Sequence, residues 1–188
     1  MTLTPSIMAE LGTPIPDFEL PDTQGNTVRR TDFGDAPGLL AIFMCNHCPY
    51  VKHIREALAS YGRDYQSKGL GVVGINSNDA STHPQDSFEN MILERERFGY
   101  TFSYLHDESQ SVARAFGAVC TPDFFLYDGD GRLFYRGQFD DSRPGNKVAV
   151  TGKDLRAAAD ALLEGRGPPR DQKASVGCSI KWKPGNAP

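Results

Sequence analysis

The sequence has few of the features on which disulfide-rich, zinc-binding and membrane proteins are built. It holds four cysteines and four histidines in 188 residues, with one Cys-x-x-Cys pair and no second pair of similar spacing. It has no long apolar run, and its net charge is only −4. These absences argue against a disulfide framework, a transmembrane helix and a strongly charged surface for nucleic acid or membranes.

Length and composition predict one domain with additions. A chain of 188 residues suits a single core, and 39% hydrophobic and 23% charged residues are typical of a globular protein. We expect a domain over residues 1–165, with an N-terminal arm at 1–11, followed by a tail over 166–188 that is too poor in apolar residues to form its own core. The N-terminal residues lack the basic and apolar segments of a secretory signal, so we expect a cytoplasmic protein whose cysteines are mostly reduced.

The candidate chemistry is concentrated between residues 43 and 51, in the sequence FMCNHCPYV. An apolar run over residues 38–44 is typical of a strand buried on both faces, and it leads directly to Cys45. After Pro49, apolar residues recur every three or four positions, which predicts an amphipathic helix. The cysteines are therefore expected at the N-terminus of a helix, where free N–H groups and the helix dipole favour a thiolate.

Cys-x-x-Cys pairs serve both redox chemistry and zinc binding. A closed structural zinc site usually needs a second pair of ligands with similar spacing. Cys120 and Cys178 stand alone in the sequence, and the histidines form no His-x3–5-His unit. We therefore favour a redox-active dithiol, expect neither a metal nor another cofactor, and keep a metal-binding module as an alternative.

The order of the predicted elements indicates an α/β fold. Strands are expected over residues 38–44, 70–75, 102–105, 123–127 and 133–139, and an N-terminal hairpin over 18–29. Helices are expected over residues 49–69, 86–98, 109–117 and 151–165. The first two long strands and the helix between them form a right-handed crossover unit with parallel strands. We expect a central mixed sheet flanked by helices, followed by an extended C-terminal tail.

The tail carries an apolar alternation that is unusual for a chain end. Val176, Cys178, Ile180 and Trp182 alternate with other residues, which is the pattern of an extended strand with one buried face. We expect this segment to return to the dithiol, with Cys178 as a third redox cysteine and Trp182 as an aromatic cover. A flexible terminus with an incidental cysteine is the alternative.

With this element order, the sequence resembles the thioredoxin-like superfamily, and within it the redoxin branch of AhpC/TSA and peroxiredoxin-like proteins. The resemblance covers about residues 12–163 and depends most on two motifs, Cys45-Asn46-His47-Cys48-Pro49 and Thr121-Pro122. The sequence is similar to a peroxiredoxin-like group that has this cysteine motif and a cysteine in its C-terminal tail. The resemblance implies that a cis peptide bond precedes Pro122 and that this proline faces the dithiol.

The sequence also departs from both branches of the superfamily. Peroxiredoxins have a proline and a threonine or serine before the peroxide-reacting cysteine, and relative to Cys48 these positions hold Ala41 and Cys45. Thioredoxins have a buried aspartate and a tryptophan before the first cysteine, and these positions hold Leu39 and Met44. A hydroxyl that activates peroxide and an aromatic side chain that docks partners are therefore missing.

The leading functional prediction is a thiol–disulfide oxidoreductase. Cys45 is expected at the exposed lip of the helix as the nucleophile, with a pKa below about 8.5, and Cys48 as the less accessible resolving thiol. Proline favours the first helical position, so Pro49 moves the expected helix start towards Cys48, which stays a second candidate for the nucleophile. His47, between the cysteines, is expected to stabilise a thiolate by charge or by a hydrogen bond.

Substrate-binding residues are predicted beside the dithiol. Thr121 and Pro122 are assigned to a backbone edge on which a partner's cysteine-bearing segment adds as a strand. Asn46, which lies between the cysteines, completes this set. Cys120 is expected to be a small buried hydrophobic side chain.

Two other functions stay open at this point. A thiol peroxidase with antioxidant activity would use Cys48 or Cys45 to attack peroxide, and a non-catalytic module would bind a metal or a partner. The expected partners of an oxidoreductase are a protein or small-molecule disulfide or thiol and a dithiol electron donor, and neither nucleic acid nor a membrane. A homodimer is compatible with the sequence.

Overall fold

The computed structural model describes residues 3–188, so the first two residues of the predicted arm lie outside it. Its strands in this range are β1 (Leu3–Pro5), β2 (Glu19–Pro21), β3 (Thr27–Arg29), β4 (Gly38–Phe43), β5 (Gly71–Asn76), β6 (Ser103–His106), β7 (Cys120–Thr121), β8 (Asp123–Asp128), β9 (Leu133–Gly137) and β10 (Val176–Ser179). Its α-helices are α1 (Pro49–Gln66), α2 (Phe88–Phe98), α3 (Ser111–Phe116) and α4 (Lys153–Leu163). No helix in the described residues is both long and apolar enough to cross a membrane.

A five-stranded mixed sheet forms the centre of the molecule, in the order β6-β5-β4-β8-β9. β4 pairs in parallel with β5, and β5 with β6, whereas β8 and β9 add in antiparallel orientation. Every residue of β4 and β5 is buried, as their apolar runs predict. The predicted strand–helix–strand unit, the N-terminal hairpin of β2 and β3 and the central mixed sheet are confirmed.

Two hydrophobic clusters hold the central sheet between its flanking elements. On one face, α1 buries Ile54 and Leu58 together with the dithiol and α4. On the other face, Phe116 of α3 packs edge to face against Phe43 at the end of β4. Truncating one such buried side chain typically lowers the free energy of unfolding by about 2–5 kcal/mol. The packing of β4 and α1 therefore holds the residues that connect them in place.

Helix α1 begins directly after the second cysteine. Pro49 occupies its first position, where the fixed φ of proline suits the helix and the missing N–H leaves no hydrogen bond unmade. Cys48 is the N-cap residue, with an extended backbone, and Cys45 lies outside the helix. This start places Cys48, rather than Cys45, in the field of the helix N-terminus.

The two ends of the chain form a second, small sheet. β10 pairs in antiparallel orientation with β1 on one side and with β7 on the other. In this register Cys178 lies opposite Leu3 and Thr121. The alternation in the tail therefore belongs to a strand, and the N-terminal arm, expected on the surface, contributes a strand as well. The proposed domain boundary after residue 165 stays a prediction.

Two helix starts differ from the sequence prediction. The sequence predicts Ser109 as the cap of α3, but the carboxylate of Asp107 accepts the backbone N–H of Ala113 at 2.9 Å. Before α4, Asp140 accepts the backbone N–H of Gly152 at 2.6 Å. The predicted local side chains also contribute, since Ser109 accepts the N–H of Ser111 and Thr151 that of Lys153, both at 3.3 Å. A buried aspartate from the preceding loop thus adds to the local cap in both cases.

Candidate active site

The dithiol lies between the central sheet and the small sheet formed by the chain ends. Cys45 is 1% exposed and Cys48 is 0% exposed, and Cys178 from β10 is 2% exposed. All four cysteines are in the thiol form. The prediction that Cys45 lies on an exposed lip is wrong, because Thr121 and its strand lie against the dithiol.

Cys48 is the central sulfur of a group of three. Cys178 lies opposite Thr121 in β7, and the carbonyl oxygen of Thr121 lies 3.2 Å from the Cys48 sulfur. The thiols of Cys45 and Cys178 and the backbone N–H of Cys178 all lower the pKa of Cys48 by acting as hydrogen-bond donors. The bond from Cys45 is the largest of the effects that lower the pKa of Cys48 to about 5, and it acts against burial, which raises this pKa. The N–H of Val51, in the first turn of α1, adds to the lowering although it is not in capping geometry.

One contact of Cys48 favours its protonated form. The carbonyl oxygen of Thr121 lies 3.2 Å from the sulfur and accepts the S–H of the neutral thiol. The donors from Cys45 and Cys178 outnumber this single acceptor, and the N-terminus of α1 adds partial positive charge. We therefore assign the thiolate of the pair to Cys48.

Cys45 has the opposite surroundings. Burial is the main cause that raises its pKa well above the usual value of a thiol, followed by its hydrogen bond to Cys48 and the negative charge of Asp86. The hydroxyl of Thr121, 3.4 Å from the sulfur, lowers this pKa. The pKa of Cys45 is thus shifted in the direction opposite to the prediction, whereas that of Cys48, the second candidate for the nucleophile, is lowered, and the roles of the two cysteines stay a prediction.

His47 is held by a buried aspartate that the sequence analysis missed. Its Nδ1 lies 2.5 Å from Oδ2 of Asp86 and 3.8 Å from the sulfur of Cys45. Asp86 also accepts the backbone N–H groups of Asn46 and His47, at 2.8 and 3.0 Å, and the side-chain amide of Asn78. Burial raises the pKa of Asp86, but these hydrogen bonds, led by that of His47, outweigh it and the pKa is lowered. The imidazole therefore lies beside Cys45, and its predicted role in stabilising a thiolate stays a prediction.

The donor atoms of Cys45, His47 and Asp86 lie within 4.8 Å of one another, a set of sulfur, nitrogen and oxygen that suits zinc. The 2.5 Å approach of His47 to Asp86 is a direct hydrogen bond. Two ligands of one zinc ion, each about 2.0 Å from it in tetrahedral geometry, lie more than about 3 Å apart. Metal binding would therefore require these two side chains to separate, and the expected lack of a metal stays a prediction.

Thr121 and Pro122 lie against the dithiol and are joined by a cis peptide bond, as the resemblance implies. Thr121 contacts both cysteines, Cys45 through its hydroxyl and Cys48 through its carbonyl oxygen. Its backbone edge pairs with Cys178 of β10. The edge predicted for a partner's segment is therefore occupied by the protein's own tail.

The other predicted residues have structural contacts of their own. The amide of Asn46 donates to the carbonyl oxygen of Gln85 and accepts the hydroxyl of Tyr104, so its role in substrate binding stays a prediction. Cys120 is buried, as expected, and burial raises the pKa of its thiol. Trp182 packs against the cluster on the far face of the sheet, so the predicted aromatic cover of the dithiol is wrong.

The solvent side of the site is basic. A groove of about 420 Å³ begins at Asn46 and runs between α1 and α2, where Lys52, Arg55 and Arg97 line it. Glu94, the only acidic residue in its lining, lies 3.4 Å from Arg55. The groove therefore has an excess of positive charge beside Asn46, which favours anionic small molecules.

Comparison with known proteins confirms the predicted thioredoxin-like fold and identifies a family. The model of the AhpC/TSA family matches residues 11–136. The chain is 28% identical over 123 residues to the thiol-disulfide oxidoreductase ResA of Geobacillus thermodenitrificans (strain NG80-2), covering 65% of this chain and 66% of the relative. It is 25% identical over 152 residues to the chloroplastic peroxiredoxin Q of Gentiana triflora, covering 76% and 65%. The matches thus span just under two thirds of the length of these relatives.

The similarity to one solved structure extends over nearly the whole chain. The crystal structure of a hypothetical protein from Sinorhizobium meliloti 1021 matches with a TM-score of 0.95 and 54% identity, covering 97% of this chain and 100% of that chain. The similarity therefore reaches into the C-terminal segment that carries Cys178. The family match covers more than half of the chain and includes the whole Cys-x-x-Cys motif and the cis-proline. The protein belongs to the AhpC/TSA family.

Proposed function

We propose that the protein is a thiol–disulfide oxidoreductase in which Cys48 is the attacking thiolate and Cys45 is its resolving partner. The observation that carries this proposal is the position of Cys48 as the N-cap residue of α1, with Cys45 outside the helix, and the lowered pKa of Cys48 agrees with it. Membership of the AhpC/TSA family and the likeness to a protein named thiol-disulfide oxidoreductase support the same class of reaction.

The reaction is an exchange between two thiols and a disulfide. The Cys48 thiolate attacks one sulfur of the substrate, forms a mixed disulfide and releases the first thiol product. Cys45 then attacks the sulfur of Cys48, releases the second thiol product and leaves the Cys45–Cys48 disulfide. The proton of Cys45 ends on the leaving thiol in this step, and His47, whose Nδ1 is held by Asp86, lies beside Cys45. A dithiol electron donor reduces the disulfide and closes the cycle.

The proposed substrate is a protein or small-molecule disulfide. The basic groove beside Asn46 favours a substrate that carries carboxylates near its disulfide. The expected cytoplasmic location stays a prediction.

The test is a reaction of the reduced protein with glutathione disulfide, followed by mass-spectrometric mapping without reduction. The wild-type protein should form the Cys45–Cys48 disulfide and release two glutathione molecules per chain. The Cys48→Ser variant should not react, whereas Cys120→Ala, which changes another buried cysteine, should behave like the wild type. Reaction of Cys48→Ser at the wild-type rate would contradict the proposal.

Peroxide reduction is a second candidate, favoured by the burial of both sulfurs and the likeness to a peroxiredoxin Q. In this reaction Cys48 attacks the peroxide and becomes a sulfenic acid while water leaves, and Cys45 condenses with it to the same disulfide and a second water. Consumption of hydrogen peroxide in the presence of dithiothreitol tests this candidate. Absence of turnover would leave disulfide exchange as the function.

A further inference from the structure

Strand β10 lies where a substrate strand is expected. In the arrangement predicted from the sequence, a partner's cysteine-bearing segment pairs with the backbone edge of Thr121 beside Pro122. In the structure that edge is paired in antiparallel orientation with the chain's own tail, and Cys178 is the residue opposite Thr121. A cysteine in an added strand is thus already present at the substrate position.

The tail is seated by close and specific contacts. A Cβ atom on Gly177 would lie 1.9 Å from the carbonyl oxygen of Thr121, so only glycine allows this approach. The hydroxyl of Ser175 donates to the carbonyl oxygen of Pro122 at 2.6 Å, and the backbone N–H of Ser6 donates to the carbonyl oxygen of Ser175 at 2.8 Å. Backbone pairing on both sides of β10 therefore holds Cys178 in one register.

The sulfur of Cys178 is placed for reaction with Cys48. Cys178 is paired with Thr121, whose carbonyl oxygen lies 3.2 Å from the Cys48 sulfur, and Cys45, Cys48 and Cys178 belong to one buried cluster. Burial and the neighbouring Cys48 raise the pKa of the Cys178 thiol, which agrees with this proximity. Both thiols are therefore within reach of the same sulfur while the fold stays as it is. Exchange needs an attacking sulfur beside the sulfur that is attacked, and the structure offers Cys48 two such partners.

We propose that β10 is a built-in substrate strand and that Cys178 is an alternative resolving thiol for Cys48; this inference rests on the proposed disulfide exchange. After Cys48 has formed a mixed disulfide with a small thiol, Cys178 attacks the sulfur of Cys48. The Cys48–Cys178 bond forms, the bond to the small thiol breaks, and the proton of Cys178 ends on that leaving thiol. Two cysteines are oxidised, and the external disulfide is reduced to two thiols.

The proposal defines a class of substrate. While β10 is in place, an extended polypeptide cannot pair with Thr121, so the resting protein reacts with small disulfides. A polypeptide has to displace the tail, and it removes Cys178 from the site in doing so. Cys178 therefore resolves adducts of small molecules, and Cys45 is the resolving thiol that serves both kinds of substrate.

The first test uses glutathione disulfide and variants that lack the usual resolving thiol. In reduced Cys45→Ser, glutathione should appear on Cys48 only transiently, and a Cys48–Cys178 disulfide should accumulate. In Cys45→Ser/Cys178→Ser, the glutathione adduct on Cys48 should persist at least about tenfold longer, because the positioned thiol is gone. Cys45→Ser/Cys120→Ala is the control and should behave like Cys45→Ser.

The outcomes separate this inference from the proposed function. If Cys48 carries persistent glutathione in both Cys45→Ser and the double variant with Cys178→Ser, Cys178 has no resolving role and the inference is overturned while the attack by Cys48 stands. If Cys48 does not react in either variant, the proposed function fails as well.

A second test displaces the tail and keeps every sulfur. In the Cys45→Ser background, Gly177→Ala places a methyl group against Thr121, whereas Gly167→Ala has no atom within 4 Å of its new Cβ. Gly177→Ala should lower the rate of the Cys48–Cys178 link at least about tenfold through lost positioning, and Gly167→Ala should leave it unchanged. An unchanged rate in Gly177→Ala would overturn the inference, and thermal unfolding of both variants verifies that they are folded.

Discussion

The two cysteines of the dithiol are three residues apart in the sequence, yet their surroundings are opposite in charge. Cys45 faces the carboxylate of Asp86 and the imidazole that this carboxylate holds. Cys48 faces two thiol donors, a backbone N–H and the N-terminus of α1. A negative charge beside a buried thiol disfavours the thiolate, and hydrogen-bond donors favour it, so the second cysteine becomes the acidic one.

The comparison shows that the order of cysteines in a Cys-x-x-Cys motif does not decide which one is acidic. Pro49 moves the start of the helix to the second cysteine, and β10 delivers further donors to the same sulfur. Removing Asp86 should therefore change the pKa of Cys45, and disrupting the small sheet that contains β10 should change the pKa of Cys48.

The largest effect is expected from replacing Cys48. The hydrogen bonds that lower its pKa to about 5 predict a thiolate that is present at about pH 6.5, where an ordinary thiol with a pKa near 8.5 is only about 1% ionised. In Cys48→Ser the ultraviolet thiolate absorbance at that pH should fall about a hundredfold, whereas Cys45→Ser should keep most of it because the serine hydroxyl still donates. The reverse result would assign the thiolate to Cys45.

Removal of the buried carboxylate should cost most in stability. Asp86→Ala leaves two backbone N–H groups and the amide of Asn78 without their acceptor, and we expect a loss of about 3 kcal/mol in the free energy of unfolding. The pKa of Cys45 should also fall, because a negative charge beside it is gone. Denaturant unfolding measures the first effect, and Asp35→Ala, on the exposed surface, is the control. Equal stabilities of the two variants would contradict this account.

A pH effect is expected from Asp123, which follows Pro122 and accepts the hydroxyl of Ser6 at 2.8 Å. Burial raises the pKa of Asp123 to about 8, and hydrogen bonds from Ser6 and Phe124 oppose the rise. In the unfolded chain the pKa of an aspartate is about 3.9. Between that pH and about pH 8, Asp123 is therefore protonated in the folded protein and ionised in the unfolded chain. The free energy of unfolding then falls as the pH rises, by at most about 1.4 kcal/mol per pH unit. In Asp123→Asn this fall should be smaller, as unfolding measured at several pH values will show; an identical pH dependence would place the proton elsewhere.

The smallest effect is expected at Thr121, which touches both cysteines through different atoms. Thr121→Val removes the hydroxyl that lowers the pKa of Cys45 and keeps the carbonyl oxygen that faces Cys48. The pKa of Cys45 should rise by less than about one unit, the value of one hydrogen bond, and that of Cys48 should not change. Thr121→Ser should restore the wild-type titration. A change in the pKa of Cys48 alone would contradict the assignment of the Thr121 hydroxyl to Cys45 and of its carbonyl oxygen to Cys48.

Local sequence patterns predicted most of the fold and the position of the dithiol. The uninterrupted apolar run of β4, the stripe of α1 and the turn residues of the hairpins each depend on neighbours within a few positions. The helix starts of α3 and α4, where Asp107 and Asp140 of the preceding loops also accept N–H groups, are predicted less well. The alternation in the tail predicted a strand, but no local pattern states which edge that strand joins.

By itself the sequence determined an α/β protein with a redox-active pair of cysteines at a helix N-terminus, because hydrophobic periodicity and Pro49 act within one element. Only the tertiary structure decided which sulfur is acidic, because Asp86, Thr121 and Cys178 reach the dithiol from distant parts of the chain. It also decided that the tail pairs with the strand edge beside the cis-proline. This pairing depends on backbone register and on the close approach that Gly177 allows, and the spacing of residues in the sequence predicts neither.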